Sequence, residues 1–283
     1  PVATQATSFF VEVGSNPYAM LDNRQTKRQA LSGGDSWQVI STLNEPVYAM
    51  AAMVAGNRLY VVGGVCGRQN VDWAGINSDG SLGAWTATSS TQMPHSLFAG
   101  MAMGNRLYAL GGQDCGISST NTGVEWATIN SDGSLESWQS TSSMTTGRLY
   151  FSGVAVNGYL YAIGGDESSP TPISTVEQAA INPDGSLGAW QATSSMLTPR
   201  SSLAVAAWGN YIYAVGGSQD GNDHLSSVER SEVQPDGSLG LWEFVTAINT
   251  PRYGLQAVAL GGYLYALGGE AGVALDIVER ATS

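Results

Sequence analysis

The sequence predicts an all-β fold, a five-bladed β-propeller of four-stranded antiparallel blades, and three observations predict it. Glycine pairs fall at 63–64, 111–112, 164–165, 216–217 and 268–269, in steps of 48, 53, 52 and 52 residues. Trp37, Trp85, Trp138, Trp190 and Trp242 keep the same steps, and two independent landmarks with one period mark a repeat architecture. The 36 glycines, many in Asn-Gly, Asp-Gly and Gly-Gly pairs, supply the tight turns of an all-β chain.

Composition narrows the function classes. At 283 residues and 43% apolar content the chain has ample material for a core. The formal charge is −12, with Lys27 the single lysine; a chain this acidic with no basic cluster repels phosphate backbones, so nucleic acid is excluded as an expected partner. No apolar run approaches the length of a membrane-spanning helix, no signal peptide is visible, and the start at Pro1 reads as a processed or trimmed end. Only 12% of residues are charged, so Ser, Thr, Asn and Gln solvate much of the surface. That habit points to an extracellular or cell-surface location. No N-glycosylation sequon occurs.

Residues 1–32 stand outside the repeat. Phe9, Val11 and Val13 read as a short strand ahead of Gly14, and residues 23–29 hold three of the eleven basic side chains. This extension lies on the domain or joins it to a partner or assembly. The repeat occupies residues 33–283, with blades at about 43–90, 91–143, 144–195, 196–247, and 248–283 completed by 33–42. Each unit opens with an apolar strand, such as 49–54, turns at Gly-Asn or Asn-Gly, and continues in a Leu-Tyr-x-x-Gly-Gly strand. A variable loop, a third strand around Val-Glu, an Asp-Gly turn and the Trp strand follow. The fifth unit lacks its Trp strand and the N-terminus carries an orphan one at Trp37; pairing the two closes the ring and hides its sheet edges.

The chain resembles kelch-repeat propellers. The resemblance rests on Tyr60, Tyr108, Tyr161, Tyr213 and Tyr265 three residues before their glycine pairs, the acid of each third strand, the Trp of each fourth, and the Pro-Arg starts at 199–200 and 251–252. Five blades is fewer than the six or seven usual in that family, and the Asp-Gly-Ser-Leu-Gly-x-Trp hairpin is more constant here than the family requires. The resemblance implies that the loops after the glycine pairs, with those entering the first strands, form the docking face.

The recurrent residues have packing explanations. The glycine pairs bend the chain where a Cβ would clash, the Tyr and Trp side chains fill the space between blades, and Asp-Gly supplies a hairpin turn. At the start of the first strand stand Val47, His95, Arg148, Arg200 and Arg252; in the third strand stand Asp72, Glu125, Glu177, Glu229 and Glu279. Arg148–Glu177, Arg200–Glu229 and Arg252–Glu279 are expected to be structural ion pairs, which leaves Asp72 without an arginine and open to a ligand. Cys66 and Cys115 follow the glycine pairs of adjacent units, so a disulfide between neighbouring loops is expected, with two free thiols as the alternative.

Variation on a constant frame is what recognition needs, so the candidate ligand residues are those of the loop face: Asp72, His95, Asp114, Asp166, Asp220, Asp223, His224 and Glu270. Residues 220–224 lack the ligand alternation of a calcium loop, no metal cluster or cofactor motif is found, and no catalytic motif stands out. The expectation is a non-catalytic binding module for protein or glycan. The alternatives are a structural subunit of a surface assembly joined through residues 1–32, and a carbohydrate-active enzyme.

Overall fold

The computed structural model describes residues 6–7, 40–64, 68–113, 120–168, 171–220 and 223–282. Their regular structure is strand throughout, with no helix among the described residues long and apolar enough to cross a membrane. The strands group into five blades, each an antiparallel meander. Blade 1 is β2 (Ala51–Ala55), β3 (Arg58–Val62), β4 (Val71–Gly75) and β5 (Thr86–Thr88); blade 2 is β6 (Ala99–Met103), β7 (Arg106–Leu110), β8 (Val124–Thr128) and β9 (Gln139–Ser140). Blade 3 is β10 (Ser152–Val156), β11 (Tyr159–Ile163), β14 (Val176–Ala180) and β15 (Gln191–Thr193), with a small hairpin, β12 (Asp166–Ser168) and β13 (Thr171–Pro172), in its loop. Blade 4 is β16 (Ala204–Trp208), β17 (Tyr211–Val215), β18 (Val228–Glu232) and β19 (Glu243–Val245). Blade 5 shows β20 (Gln256–Leu260), β21 (Tyr263–Leu267) and β22 (Val278–Thr282). The protein is a five-bladed β-propeller.

The sequence explains the radial order. First strands are rich in Ala and Gly because blades crowd together near the axis: a Cβ on Gly100 would lie 2.5 Å from that of Ala51, and one on Gly153 2.8 Å from Met101 Cε. First and second strands join through two-residue turns; Asn157 and Gly158, at φ 51° and 81°, have the paired positive angles of a type I′ hairpin. The glycine pairs behave as expected. At Gly165, φ is 88° and a Cβ would sit 2.5 Å from both Leu149 O and Phe151 Cβ.

Hydrophobic cores lie between blades. Met53, Tyr60 and Val62 of blade 1 meet Leu107, Ala109 and Trp138 of blade 2; Met101 and Tyr108 of blade 2 meet Leu160 and Trp190 of blade 3. Tyr161 and Ile163 of blade 3 meet Ile212 and Trp242 of blade 4, and Tyr213 and Val215 of blade 4 meet Leu264 and Ala266 of blade 5. Each large side chain sealed in this way contributes about 1.5–3 kcal/mol. The repeated aromatics also carry polar latches. Tyr60, Tyr108 and Tyr161 hydroxyls donate to the Gly133, Gly185 and Gly237 carbonyls of the next blade's Asp-Gly hairpin at 2.9, 3.0 and 2.7 Å. Burial pushes the Tyr108 hydroxyl up to about 12. The hairpins themselves are set by Asp79, Asp132, Asp184 and Asp236, whose carboxylates accept the hydroxyl and backbone N–H of the serine two residues on and are held below the ordinary carboxylate range by those bonds.

Of the N-terminal extension, β1 (Ala6–Thr7) adds antiparallel to the axial edge of β10, pairing Ala6 with Ala155 and Thr7 with Val154. The expected strand at residues 9–13 and residues 33–39 of the expected closing strand lie outside the described residues.

Candidate functional site

The loop face is built around the entry to each first strand. Arg148 is sealed between blades: Nη1 donates to Gly164 O and Thr175 O, both at 2.9 Å, and Nη2 to Thr175 Oγ1 and Glu177 Oε1, both at 3.0 Å. Arg200 repeats this with Gly216 O at 2.8 Å, Ser227 O at 2.9 Å, Ser227 Oγ at 2.8 Å and Glu229 Oε1 at 2.7 Å, and Arg252 pairs with Glu279. Each glutamate also accepts two backbone N–H groups from the connection between blades: Thr145 and Thr146 for Glu177, Leu197 and Thr198 for Glu229, Asn249 and Thr250 for Glu279. Burial opposes ionisation of Glu177, yet the Thr145 bonds and the Arg148 charge outweigh it and hold the carboxyl below its ordinary range. The three arginines and glutamates that stand at fixed offsets in the sequence thus meet in each of these blades.

Two candidates change meaning. Asp72 is not open to a ligand: Arg68 Nη2 binds its Oδ2 at 2.8 Å and Asn44 Nδ2 its Oδ1 at 2.8 Å. Blade 1 lacks the arginine of the first strand, and its variable loop supplies another in its place. A buried carboxylate required a cation, so an arginine four residues upstream was the available signal. His95 is wholly buried as well. Its Nδ1 lies 3.0 Å from Gly111 O and its Nε2 3.6 Å from Glu125 Oε1, so it occupies the arginine's place in blade 2 rather than facing solvent.

The backbone at the mouth of the channel has a regularity the sequence does not announce. Ala49, Leu97, Tyr150, Ser202 and Gly254 precede the five first strands and all are left-handed, with φ of 54°, 55°, 51°, 50° and 61°. That conformation is strained for the four that are not glycine. They bond around the axis: Leu97 N–H to Ala49 O at 3.3 Å, Tyr150 to Leu97 at 3.3 Å, Ser202 to Tyr150 at 2.7 Å and Gly254 to Ser202 at 2.8 Å. A second ladder runs beside it. Gly64, Gly112, Gly165 and Gly217 donate to the carbonyls of His95, Arg148, Arg200 and Arg252 in the next blade. The frame is therefore repeated while the side chains on it differ in every blade, and only Gly254 hints at the angle from sequence.

The remaining candidates surround this mouth. Asp166 bridges to Leu149 beside Tyr150 and is buried, with Oδ1 lacking a hydrogen-bond partner; burial raises its carboxyl above the ordinary range, against a bond from Ser201. Asp220 and Asp223 shape their own loop. Asp223 Oδ1 accepts Ser218 Oγ at 2.9 Å and Gln219 N at 2.6 Å, and Asp220 Oδ1 accepts Asp223 N at 2.8 Å. His224 stacks on Tyr253 at 5.2 Å. The Tyr253 hydroxyl is raised by its bond to Glu270, and Glu270 is exposed. Asp114, Cys66 and Cys115, and with them the expected disulfide, lie outside the described residues. Among the described residues, no three His, Cys, Asp or Glu side chains converge on a metal site.

Among the described residues, the exposed charge on this face is one-signed. Arg68, Arg148, Arg200 and Arg252 are all buried against carboxylates, whereas Glu45, Glu167, Asp220, Glu270 and Asp276 are exposed. Tyr48 and Tyr150 stand exposed among them. The arrangement offers aromatic surface in a negative field.

Comparison with known proteins agrees with this architecture. The Kelch motif matches residues 147–178 and 199–230. Kelch-like protein 15 of Gallus gallus is 32% identical over 114 residues, which are 40% of this chain and 22% of that protein. An F-box/kelch-repeat protein of Arabidopsis thaliana is 28% identical over 156 residues, 54% of this chain and 35% of that protein. The chain thus covers about a quarter to a third of the length of these relatives. The structure of YjhT superposes with a TM-score of 0.64 at 14% identity, covering 80% of this chain and 73% of that one, a likeness of fold.

Proposed function

Since the chain belongs to the kelch-repeat β-propellers, we propose that it is a protein-binding module whose loop face receives a partner segment bearing lysine or arginine. The observation that carries this reading is the mouth: five equivalent left-handed positions on one hydrogen-bonded frame present Ala49, Leu97, Tyr150, Ser202 and Gly254. Repetition of the backbone with non-repetition of the side chain is the property of a recognition surface. Backbone strain is retained there, as it often is at ligand clamps.

The partner's chemistry follows from charge and aromatic surface. Every exposed charge among the described mouth loops is a carboxylate, and Asp166 adds a buried acid with one oxygen unpaired. Tyr48 and Tyr150 give apolar contact and faces for cations, worth about 0.5–1 kcal/mol each at such sites. A basic peptide also gains on-rate from a protein of net charge −12.

The test is selection of peptides from a charge-balanced display library on the full chain. Selected sequences are expected to be rich in Lys and Arg, to weaken with salt, and to lose binding with Tyr150→Ala. Leu241→Ala, an exposed residue of an Asp-Gly hairpin, should leave binding intact. Selection without charge preference, or binding indifferent to Tyr150, sinks the reading.

A further inference from the structure

Five carboxylates are buried among the described residues: Asp72, Glu125, Asp166, Glu177 and Glu229. Four of them have a basic neighbour. Arg68 meets Asp72 at 2.8 Å, His95 Nε2 stands 3.6 Å from Glu125, and Arg148 and Arg200 reach Glu177 and Glu229 at 3.0 and 2.7 Å. Asp166, 4% exposed, makes no ion pair among the described residues, and its Oδ1 has no hydrogen-bond partner. Protonation does not mend this. A neutral carboxyl still leaves that oxygen alone, and a carboxylate buried without a counter-charge costs stability.

The group is held from both sides of the seam between blades 3 and 4. Asp166 and Leu149 exchange backbone bonds at 2.8 and 2.9 Å, and the Gly165 N–H, one residue earlier, donates to Arg200 O at 2.7 Å. The Ser201 hydroxyl of blade 4 bonds the carboxylate; with Oδ1 unpartnered, that bond goes to Oδ2. Ser201 is itself anchored by two backbone bonds with Ser218, both at 2.9 Å. The described residues that follow the glycine pairs and bridge to the strand entries are Gln113, Asp166, Ser218 and Glu270, and of these Asp166 alone is both acidic and buried. Tyr150, next to Leu149, is 39% exposed, and Glu167, next to Asp166, is exposed. A cation drawn in by the outer carboxylates thus meets an aromatic ring and, beside it, an acid that lacks a counter-charge.

We propose that Asp166 sets the specificity of the mouth, receiving the ammonium of a partner lysine in preference to an arginine guanidinium. This rests on the reading of the loop face as the docking surface for a basic segment, and it names the cation that one position takes. The preference comes from the number of oxygens on offer. A guanidinium pairs best with both oxygens of a carboxylate through its planar fork, and Ser201 already holds one of the two. A lysine ammonium is a compact point charge that one oxygen can satisfy, on a slender stem that packs along apolar surface such as the Tyr150 ring. A divalent ion would call for about six oxygens, and no three His, Cys, Asp or Glu side chains converge among the described residues. Oδ1 is closed to solvent in the unbound chain, so binding includes a rotamer step of Asp166 or of the side chain over it, driven by the new ion pair.

The test is a peptide display library with lysine and arginine at equal frequency, selected in parallel on the full wild-type chain, on Asp166→Asn and on Glu167→Gln. On the wild type, lysine is expected to be enriched about tenfold over arginine at one position, as a charge-assisted hydrogen bond made by one cation and not the other implies. Asp166→Asn should bring that ratio to about one, while basic residues as a class stay enriched through the exposed carboxylates. Glu167→Gln removes the same charge from an exposed neighbour and should keep the lysine preference. Basic enrichment without a preference for lysine on the wild type overturns this proposal and leaves the docking reading standing; no basic enrichment overturns both. A lysine preference that survives Asp166→Asn, or that Glu167→Gln abolishes equally, also overturns it. Asp166→Ser repeats the comparison with a second neutral side chain, so a folding defect in one variant does not decide the outcome.

Discussion

Replacing Arg200 with methionine tests the energetic role of the repeated ion pair. The change keeps most of the side-chain volume and removes a guanidinium with no solvent exposure. Four hydrogen bonds go with it, to Gly216 O, Ser227 O, Ser227 Oγ and Glu229 Oε1. Glu229, equally buried, keeps the N–H groups of Leu197 at 2.6 Å and Thr198 at 3.0 Å but loses its counter-charge. Removing one partner of a buried pair costs about 3–5 kcal/mol, chiefly from the stranded charge. With a urea m-value of about 3 kcal/mol/M, the midpoint falls by roughly 1–1.7 M.

The companion variant Glu229→Gln removes the negative charge while leaving an acceptor for one backbone N–H. If the stranded charge dominates, the double variant is less damaged than the sum of the singles, by about 1–3 kcal/mol. The assay is urea unfolding followed by tryptophan fluorescence, since Trp242 lies in the core between blades 3 and 4. A loss below about 1 kcal/mol for Arg200→Met, or additivity within about 0.5 kcal/mol, refutes the argument that the pair is held by mutual charge.

Two further outcomes follow from the same geometry. Arg68→Met strands Asp72, buried and left with Asn44 as its side-chain donor among the described residues, and should cost about 3 kcal/mol in the same assay; a neutral result would mean that Asp72 finds another cation. Asp166→Asn should stabilise the chain at neutral pH. The folded carboxyl is raised by burial, so its ionisation opposes folding increasingly as pH climbs above the unfolded value of about 4. The gain should therefore vanish in acid, where both states hold the proton, and a gain independent of pH in thermal melts argues against this origin.

The repeat was legible because glycine pairs, Tyr and Trp answer to local demands: a Cβ clash at Gly165, a latch from Tyr161 to Gly237, a seam filled by Trp190. Each demand recurs in at least three blades, so periodicity exposes it. What could not be read is what one blade alone does. Arg68 replaces a residue that blade 1 lacks, and it lies in a variable loop where no period points to it. The left-handed positions were hidden for the opposite reason. Their angle comes from the bonds between blades, so Leu97, Tyr150 and Ser202 adopt it without any residue preference to betray it.

These exceptions make the loop face unequal around the ring. In blades 1 and 2 the first-strand arginine is gone, and Arg68 and His95 are used up inside the seam. Loop chemistry there serves the frame. In blades 3, 4 and 5 the arginine is present and seals its own glutamate, which leaves the loops without that duty. There Glu167, Asp220 and Glu270 reach solvent and Asp166 holds an unpaired oxygen. A partner's cations should accordingly cluster towards blades 3 to 5, while blade 1 contributes contact through Tyr48.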